Sequence, residues 1–331
     1  MQIYRLKIVL YLSIVILSLI SSSLSADCGR VTIAEMNWPS AQLVAHVDKY
    51  FLAEGFNCDV TLVPGDTAPT MTSMIGIGEP SVAPEVWVFK IEARTANTVP
   101  STLKLKKLLN TAERKKLIKD RGDVFLDNVQ DGFWVPAHML KQYPELESIS
   151  GVLNHPELFP HPDKLNRSAF YGCPIDWSCN TTTTQLHQLY DLTNYGFDLV
   201  TPESGADFSA SISKAFEEGT GWFGYYWEPT APIGKYDLVK VRLLENGYEF
   251  EHVYKVKTYV SKSLFDKPLI MSYFKKRIYP NSIMSRLLAW KEEMQASESN
   301  TVEHFLNNYD YLWIQWVDFY TASRIKASLK E

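Results

Sequence analysis

The sequence predicts an α/β protein in which strands and helices alternate around doubly wound sheets. Two alternating sets of strand and helix patterns carry this prediction, one before residue 120 and one between residues 136 and 229. Parallel strands need a crossover between them, usually a helix, so a strand–helix–strand rhythm is typical of parallel sheets. The chain has 331 residues, 46% of them hydrophobic and 21% charged, which suits one large or two smaller globular domains.

The first alternating set begins with an apolar strand over residues 31–36. Ser40 is a candidate N-cap for a helix over 41–54, because its hydroxyl can accept from a free amide of the first turn, and Gly55 is a stop signal. Further strands are predicted over 59–63 and 82–87, and further helices after Thr67 and over 101–119. The set therefore forms a βαβαβ unit, which predicts three parallel strands.

The second set has the same rhythm, which indicates a second α/β unit. Its strands are predicted over 168–171, 197–201 and 222–227, and its helices over 182–192 and 206–218. The rest of the chain is predicted to contain strands over 238–243 and 254–260 and helices over 282–294 and 302–320.

The first 25 residues have the pattern of a cleaved signal peptide. Arg5 and Lys7 form a basic start, residues 8–20 are almost wholly apolar, and small residues at Ser23 and Ser25 offer a cleavage site. A membrane anchor is the alternative, but the apolar run is short for a span of about 20 residues. The pattern predicts that residues 1–25 are removed and that the mature protein is exported.

Four cysteines lie in the exported part, at Cys28, Cys58, Cys173 and Cys179. An even number of cysteines in an oxidising compartment indicates two disulfides. Three pairings are possible, and we favour Cys28–Cys58 with Cys173–Cys179, the second of which closes a small loop. A metal site is the alternative, but the sequence has no CxxC pair and no histidine at ligand spacing nearby, so no bound metal is expected.

Charge and motifs argue against several functions. The chain has 33 Lys and Arg against 38 Asp and Glu, a net charge of −5 without a basic block, which disfavours nucleic acid as a partner. The sequence has no nucleophile elbow, zinc-protease helix or phosphate-binding loop, and the glycines at residues 76 and 78 lack the third glycine of a dinucleotide motif. We therefore expect a binding protein without catalytic activity or cofactor.

Four of the nine tryptophans stand where a ligand site is expected. Trp87 and Trp227 end predicted strands, and open α/β sheets bind ligands at such ends. Trp134 lies ahead of the second set, and Trp177 lies inside the small cysteine loop. Several indole faces around one cavity suit a methylated cation, which cannot donate strong hydrogen bonds but is attracted to each face by roughly 0.5–2 kcal/mol.

Five short motifs span nearly the whole mature chain. They cover residues 32–38, 63–67, 82–87, 173–179 and 225–230. In this order they resemble the substrate-binding subunits of glycine betaine and proline betaine ABC transporters, including periplasmic relatives that bind trimethylamine N-oxide. The resemblance implies a type II periplasmic-binding-protein fold, with two doubly wound α/β lobes joined by a hinge. Lobe one would comprise residues 27–134 and 230–331, and lobe two residues 135–229.

The same resemblance implies a set of site residues. The four tryptophans named above match the positions of an aromatic cage around a methylated nitrogen. Ser178 and Cys179 match the backbone donors to a ligand carboxylate, with Ser178 where some members have glycine. Glu85 is a candidate for the acidic residue that faces the cation in some relatives, and its alternative role is a hinge or surface contact. Trp38 lies in the first motif without an assigned place in the cage.

These observations predict a periplasmic substrate-binding subunit of an ABC importer. The protein would be a monomer that captures glycine betaine or a related methylated ammonium or sulfonium osmolyte, with a membrane permease and an ATPase as partners. A trimethylamine N-oxide- or choline-specific protein of the same family is the nearest alternative. A secreted hydrolase with an aromatic-lined cleft, a binder of another solute and a sensor with the same cage also stay open.

Overall fold

The computed structural model describes residues 28–89, 100–127, 129–175, 177, 179–245, 248–250 and 252–330. The predicted signal peptide and Ser178 lie outside these residues. None of the helices in the described stretches combines the length and the hydrophobicity that a membrane span needs.

The strands and helices follow the predicted alternation closely. The strands are β1 Arg30–Met36, β2 Asp59–Gly65, β3 Val82–Phe89, β4 Ile118–Asp123, β5 Val129–Pro136, β6 Ser168–Tyr171, β7 Phe197–Val200, β8 Gly224–Trp227, β9 Leu238–Lys240, β10 Leu243–Glu245, β11 Tyr248–Phe250 and β12 His252–Ser261. The α-helices are α1 Pro39–Tyr50, α2 Thr67–Ile77, α3 Pro100–Arg114, α4 Ile149–Asn154, α5 Cys179–Leu189, α6 Gly205–Glu218, α7 Ala231–Lys235, α8 Pro268–Lys276, α9 Asn281–Glu293, α10 Glu298–Asn308, α11 Asp310–Trp313 and α12 Phe319–Ser328. Short 3₁₀ helices cover Ala137–Lys141, Pro144–Glu147, Pro156–Leu158 and Lys262–Leu264, and a π-helical turn covers Phe51–Gly55.

Hydrogen-bonded ladders join ten of the described strands in the order β2-β1-β3-β12-β5-β8-β6-β7, with β4 beside β12 and β9 beside β5. Strand β1 runs parallel to β2 and β3, and β6 runs parallel to β7 and β8, as the two alternating sets predict. Strands β5 and β12 run antiparallel to their neighbours and to each other. Their ladder, between residues 129–131 and 252–254, joins the two halves of the sheet.

Hydrophobic cores lie on both sides of this junction. On one side, a large cluster takes buried residues from 28–129 and 231–325, and a smaller cluster takes residues from 34–118 together with Tyr259. On the other side, one cluster takes buried residues from 133–243. We name the parts built around these cores lobe one and lobe two. Val241 and Leu243 pack in lobe two, beyond the predicted return crossing near residue 229, because β9 pairs with β5 just before them. The boundary between the lobes therefore stays a proposal.

Both favoured disulfides are present. Cys28–Cys58 ties the start of β1 to the start of β2, with the Cα atoms 4.6 Å apart, and Cys173–Cys179 closes the predicted small loop, with the Cα atoms 5.9 Å apart. None of the described cysteines is free. In the chain-entropy picture the longer Cys28–Cys58 loop contributes about 3–4 kcal/mol to stability by restricting the unfolded chain.

The helix after β1 begins earlier than predicted. Trp38 is its N-cap residue and Pro39 its first helical residue, a position where an amide would have no intrahelical partner anyway. Ser40 therefore lies inside the first turn, and its hydroxyl donates to Glu85 instead of capping the helix. This difference matters for the site, because it places Trp38 in the short turn between β1 and α1.

The single helix predicted over 302–320 consists of three helices, α10 to α12. Asp318 begins the last of them, and its carboxylate accepts from the amide of Thr321 at 3.0 Å. Trp313 and Trp316 are both buried in lobe one. The apolar residues thus keep a helical spacing across the breaks between the three helices, which is why the sequence pattern predicts one long helix.

Candidate ligand-binding site

A cavity of about 190 Å³ lies between the two lobes. Five aromatic side chains line it, namely Trp38, Trp87, Trp177, Tyr225 and Trp227. The other lining residues in the described part of the chain are Asn37, Asp66, Thr67, Ala68, Leu105, Asp131, Cys179 and Thr182. Because these residues come from both lobes, a ligand in the cavity would contact both.

Lobe one forms its wall at the carboxyl ends of three parallel strands. Trp38 follows β1, Thr67 opens α2 after β2, and Trp87 lies near the end of β3. Ligands bind outside this edge of open α/β sheets, because the following loops and helix N-termini converge there. Trp87 also packs against the cores of both lobes, so its ring lies at their junction.

Two antiparallel strands form part of the wall of lobe two. Asp131 of β5 lies directly opposite Trp227 of β8, and the hydroxyl of Tyr225 donates to the Asp131 carboxylate. Residues two apart on a strand share a face, so Tyr225 and Trp227 line the cavity while Tyr226 between them is buried in lobe two. Asp131 is only 1% exposed, so its charge is weakly screened by water.

The indole of Trp177 is held on three sides. The Cys173–Cys179 disulfide closes the loop that carries it. Its ring meets Trp227 edge to face, with centroids 5.3 Å apart and planes at 74°, a favourable arrangement for aromatic pairs. At Gly205, the first residue of α6, an added Cβ would lie 2.8 Å from Cζ2 of Trp177. A side chain at residue 205 would therefore displace the indole.

Glu85 lies beneath the wall of lobe one, fully buried, and is not among the residues that line the cavity. Its Oε1 accepts from Nε1 of Trp38 at 2.6 Å and from Nε1 of Trp87 at 3.0 Å. The Ser40 hydroxyl donates to the same oxygen at 2.9 Å. Burial raises the pKa of Glu85, while these hydrogen bonds and the charge of Arg277 oppose the rise. The sequence suggested direct contact with a cation, whereas the structure places Glu85 against two indoles of the wall.

Trp134, assigned to the cage by resemblance, lies in the core of lobe two. It is 5% exposed, and its Nε1 donates to the backbone oxygen of Tyr226 at 2.9 Å. The two-residue period of β5 explains the difference, because Asp131 faces the cavity and a residue three positions later points to the other face. Asp131, and not Trp134, therefore lines the cavity from β5.

Only one of the two predicted backbone donors lies within the described residues. Cys179 lines the cavity, whereas Ser178 lies outside the described residues. Cys179 is also the first residue of α5, and Thr182 of the same turn reaches the cavity. The first-turn amides of a helix lack intrahelical partners and carry partial positive charge, so this end of the cavity suits a negative group.

Nine of the lining residues were not predicted as site residues, and three of these, Trp38, Tyr225 and Asp131, bear most on ligand binding. Trp38 follows β1 by two residues, a position close to the strand end that identified Trp87. Tyr225 stands two residues before Trp227, so strand alternation would have placed both on one face. Asp131 had no usable local signal, because β5 was not predicted as a strand and its partners are distant in sequence.

The charges that line the cavity are negative. Asp66 and Asp131 are the acidic residues, and none of the lining residues described is Lys, Arg or His. The Asp66 carboxylate caps α2 by accepting from the amide of Thr67, while Asp131 accepts from Tyr225. A partly enclosed site with this balance favours a cationic ligand.

A comparison with protein families matches residues 29–308 to the substrate-binding domain of ABC-type glycine betaine transport systems. The chain belongs to this family. Its members are extracytoplasmic substrate-binding components of transporters and not enzymes. The protein is thus a substrate-binding protein of the glycine betaine/choline type. None of the curated proteins compared with it matches.

Solved structures share the fold at low sequence identity. The glycine betaine/L-proline-binding protein from Borrelia burgdorferi aligns with a TM-score of 0.67 and 16% identity, covering 89% of this chain and 99% of that one. An ABC-transporter choline-binding protein in complex with choline gives 0.66 and 14%, covering 91% and 98%. A lactococcal protein in its closed form with glycine betaine gives 0.63 and 17%, covering 88% and 100%. The predicted type II periplasmic-binding-protein fold with two lobes is confirmed.

Proposed function

We propose that the protein captures a methylated ammonium or sulfonium compound between its lobes and delivers it to an ABC importer. One observation carries the proposal: four indoles and a phenol line a single cavity together with the carboxylate of Asp131. Membership of a glycine betaine transport family supports the same ligand class.

The physical fit is specific to methylated cations. A trimethylammonium group spreads its charge over methyl groups and has no N–H to donate, so aromatic faces can replace its water. Each face contributes roughly 0.5–2 kcal/mol, the upper value where water is excluded. Four faces give up to about 8 kcal/mol before ordering costs, which corresponds to micromolar affinity. An unmethylated amine would instead lose hydrogen bonds that the indole faces cannot replace.

Two features bear on the other end of the ligand. The N-terminus of α5 at Cys179 suits the carboxylate of glycine betaine. Asp66 and Asp131, in contrast, repel a carboxylate and favour a ligand with net positive charge. Choline is therefore the second candidate ligand, and Asp131 is the residue that favours it.

The proposal includes export and assembly. Residues 1–25 would be removed as a signal peptide, and the mature protein would work in the periplasm. A ligand that contacts both lobes stabilises the closed form, since a ligand shifts such an equilibrium only by its difference in affinity. The closed form would then dock on a membrane permease that is driven by an ATPase.

Calorimetric titration of residues 26–331 tests the proposal. The ligands are glycine betaine, choline, trimethylamine N-oxide and dimethylsulfoniopropionate, with unmethylated glycine as the control. Micromolar binding of at least one methylated compound, with no binding of glycine, supports the proposed function. If the folded protein binds none of the four methylated compounds, the proposed function is contradicted and the hydrolase hypothesis becomes the leading alternative.

A further inference from the structure

One buried carboxylate holds two indoles of the cavity wall. Oε1 of Glu85 accepts from the ring nitrogens of both Trp38 and Trp87, and the hydroxyl of Ser40 adds a third bond. Within the described residues, the other oxygen, Oε2, is buried without a hydrogen-bond partner. A buried carboxylate with an unpaired oxygen is costly, whereas a neutral amide oxygen could accept the same bonds. Fixing the rings alone therefore does not explain why a carboxylate stands here.

The charges beneath this wall leave an excess of negative charge. Arg277 and Asp48 are both fully buried and form an ion pair, with Nε and Oδ1 3.0 Å apart. Arg277 also interacts electrostatically with Glu85. One guanidinium thus faces two carboxylates, so the ionised cluster keeps one negative charge on the side of Glu85.

An anionic acceptor changes what an indole can do. Hydrogen bonds to an ionised group are stronger than neutral ones, and linked hydrogen bonds polarise one another in a medium of low polarity. An indole whose N–H donates to a carboxylate has a more negative ring face. That face attracts a cation more strongly, because cation–π attraction is electrostatic. Its dispersion contact with a neutral apolar group stays nearly the same.

We propose that Glu85 is a positioning residue that fixes Trp38 and Trp87. Through their N–H groups, its charge makes the cavity prefer a cation over a neutral group of the same shape. The inference rests on the proposed function, because it concerns a methylated ammonium ligand. Glu85 itself does not touch that ligand, and its charge acts from behind the two rings that it holds.

Isosteric ligands separate charge from shape. Choline and 3,3-dimethylbutan-1-ol differ only in nitrogen or carbon at the trimethylated centre, as do glycine betaine and 3,3-dimethylbutanoate. Calorimetry measures the affinity of the ligand that binds more tightly in each pair. Competition against that ligand measures the affinity of the weaker one. The Glu85→Gln variant keeps the size and an acceptor oxygen but loses the charge. We expect it to weaken the ammonium ligand about tenfold or more and its carbon analogue by less than about threefold.

Two further variants complete the experiment. Glu35→Gln is the matched control, since Glu35 lies on the neighbouring strand β1 and contacts His46 at 3.0 Å instead of an indole. It should leave both members of each pair unchanged. Glu85→Asp keeps the charge on a shorter side chain and replaces Glu85→Gln should thermal unfolding show that the latter does not fold. We expect Glu85→Asp to weaken the binding of both ligands of a pair by the same factor and so to preserve the preference for the cation.

The outcomes distinguish the inference from the proposed function. If Glu85→Gln loses the same affinity for the ammonium ligand as for its carbon analogue, so that the preference for the cation is unchanged, the inference alone is overturned. The same holds if Glu85→Asp, used in its place, loses the preference. A wild-type protein that binds none of the four methylated compounds overturns the proposed function, and the inference with it.

Discussion

Asp131 is the residue whose charge bears most directly on the choice of ligand. It lines the cavity, is almost fully buried and accepts from Tyr225. A carboxylate about 4 Å from an ammonium attracts it by about 4 kcal/mol at an effective dielectric constant of about 20. For a zwitterion, part of that attraction is cancelled by repulsion of the ligand's own carboxylate.

The Asp131→Asn variant should therefore weaken choline binding more than glycine betaine binding. We expect a loss of about tenfold or more for choline and a smaller loss for glycine betaine, measured by calorimetry at low and moderate salt. Asp198→Asn is the matched control, because Asp198 pairs with Lys164 and Arg167 and not with the cavity. Equal losses for the two ligands would mean that Asp131 acts by shape rather than by charge.

Single residues were predictable where position along a strand decided their role. Trp227 ends β8, Trp87 lies two residues before the end of β3, Trp177 lies in a closed loop, and all three line the cavity. Trp134 also lies two residues before the end of its strand, but the alternation along β5 turns it into lobe two. The role of Glu85 required knowledge of its contacts, since the sequence does not show that its carboxylate meets two ring nitrogens.

At the scale of elements, α6 and the cysteine loop form one unit around Trp177. Gly205 opens α6 with its backbone against the indole, and the disulfide fixes the loop on the other side. Only a residue without Cβ leaves the ring where it meets Trp227. The glycine is therefore needed for close approach rather than for an unusual backbone angle.

The Gly205→Ala variant should weaken ligand binding by about tenfold while the protein stays folded. Its methyl group would force the Trp177 ring away from Trp227 and remove one face from the cage, at a cost of about 1–2 kcal/mol. Calorimetry and thermal unfolding measure the two effects. Gly76→Ala in α2 is the matched control, because an added Cβ there meets no atom within 4 Å. A Gly205→Ala protein with wild-type affinity would exclude Trp177 from the ligand contacts.

Local elements were predicted well, and long-range pairing was not. Strand β6 has its predicted bounds, and β1 differs by one residue, because apolar runs bounded by turn residues are local signals. The antiparallel ladder between β5 and β12 pairs residues that are far apart in sequence. No local pattern specifies such a partner, so the junction between the lobes and the place of Asp131 became clear only in the structure.

At the scale of the whole molecule, the lobes also touch outside the cavity. Ser209 of α6 in lobe two donates to Glu292 of α9 in lobe one at 3.1 Å. A small cavity of about 20 Å³ lies beside this bond and is also lined by Trp177 and Trp227. The contact thus lies behind two rings of the ligand site. We expect it to break when the lobes separate, so it would stabilise the closed form.

The Ser209→Ala variant should release the ligand about threefold to tenfold faster. A partly buried hydrogen bond to a carboxylate contributes on the order of 1 kcal/mol, and the ligand leaves only after the lobes open. Stopped-flow displacement measures the release rate, and the association rate should stay unchanged because the open form lacks the contact. Ser323→Ala is the matched control, since that hydroxyl donates to the backbone of Phe319 within α12. An unchanged release rate would mean that Ser209 and Glu292 stay in contact in the open form, which would assign this contact to the hinge and leave the ligand itself as the main link between the lobes.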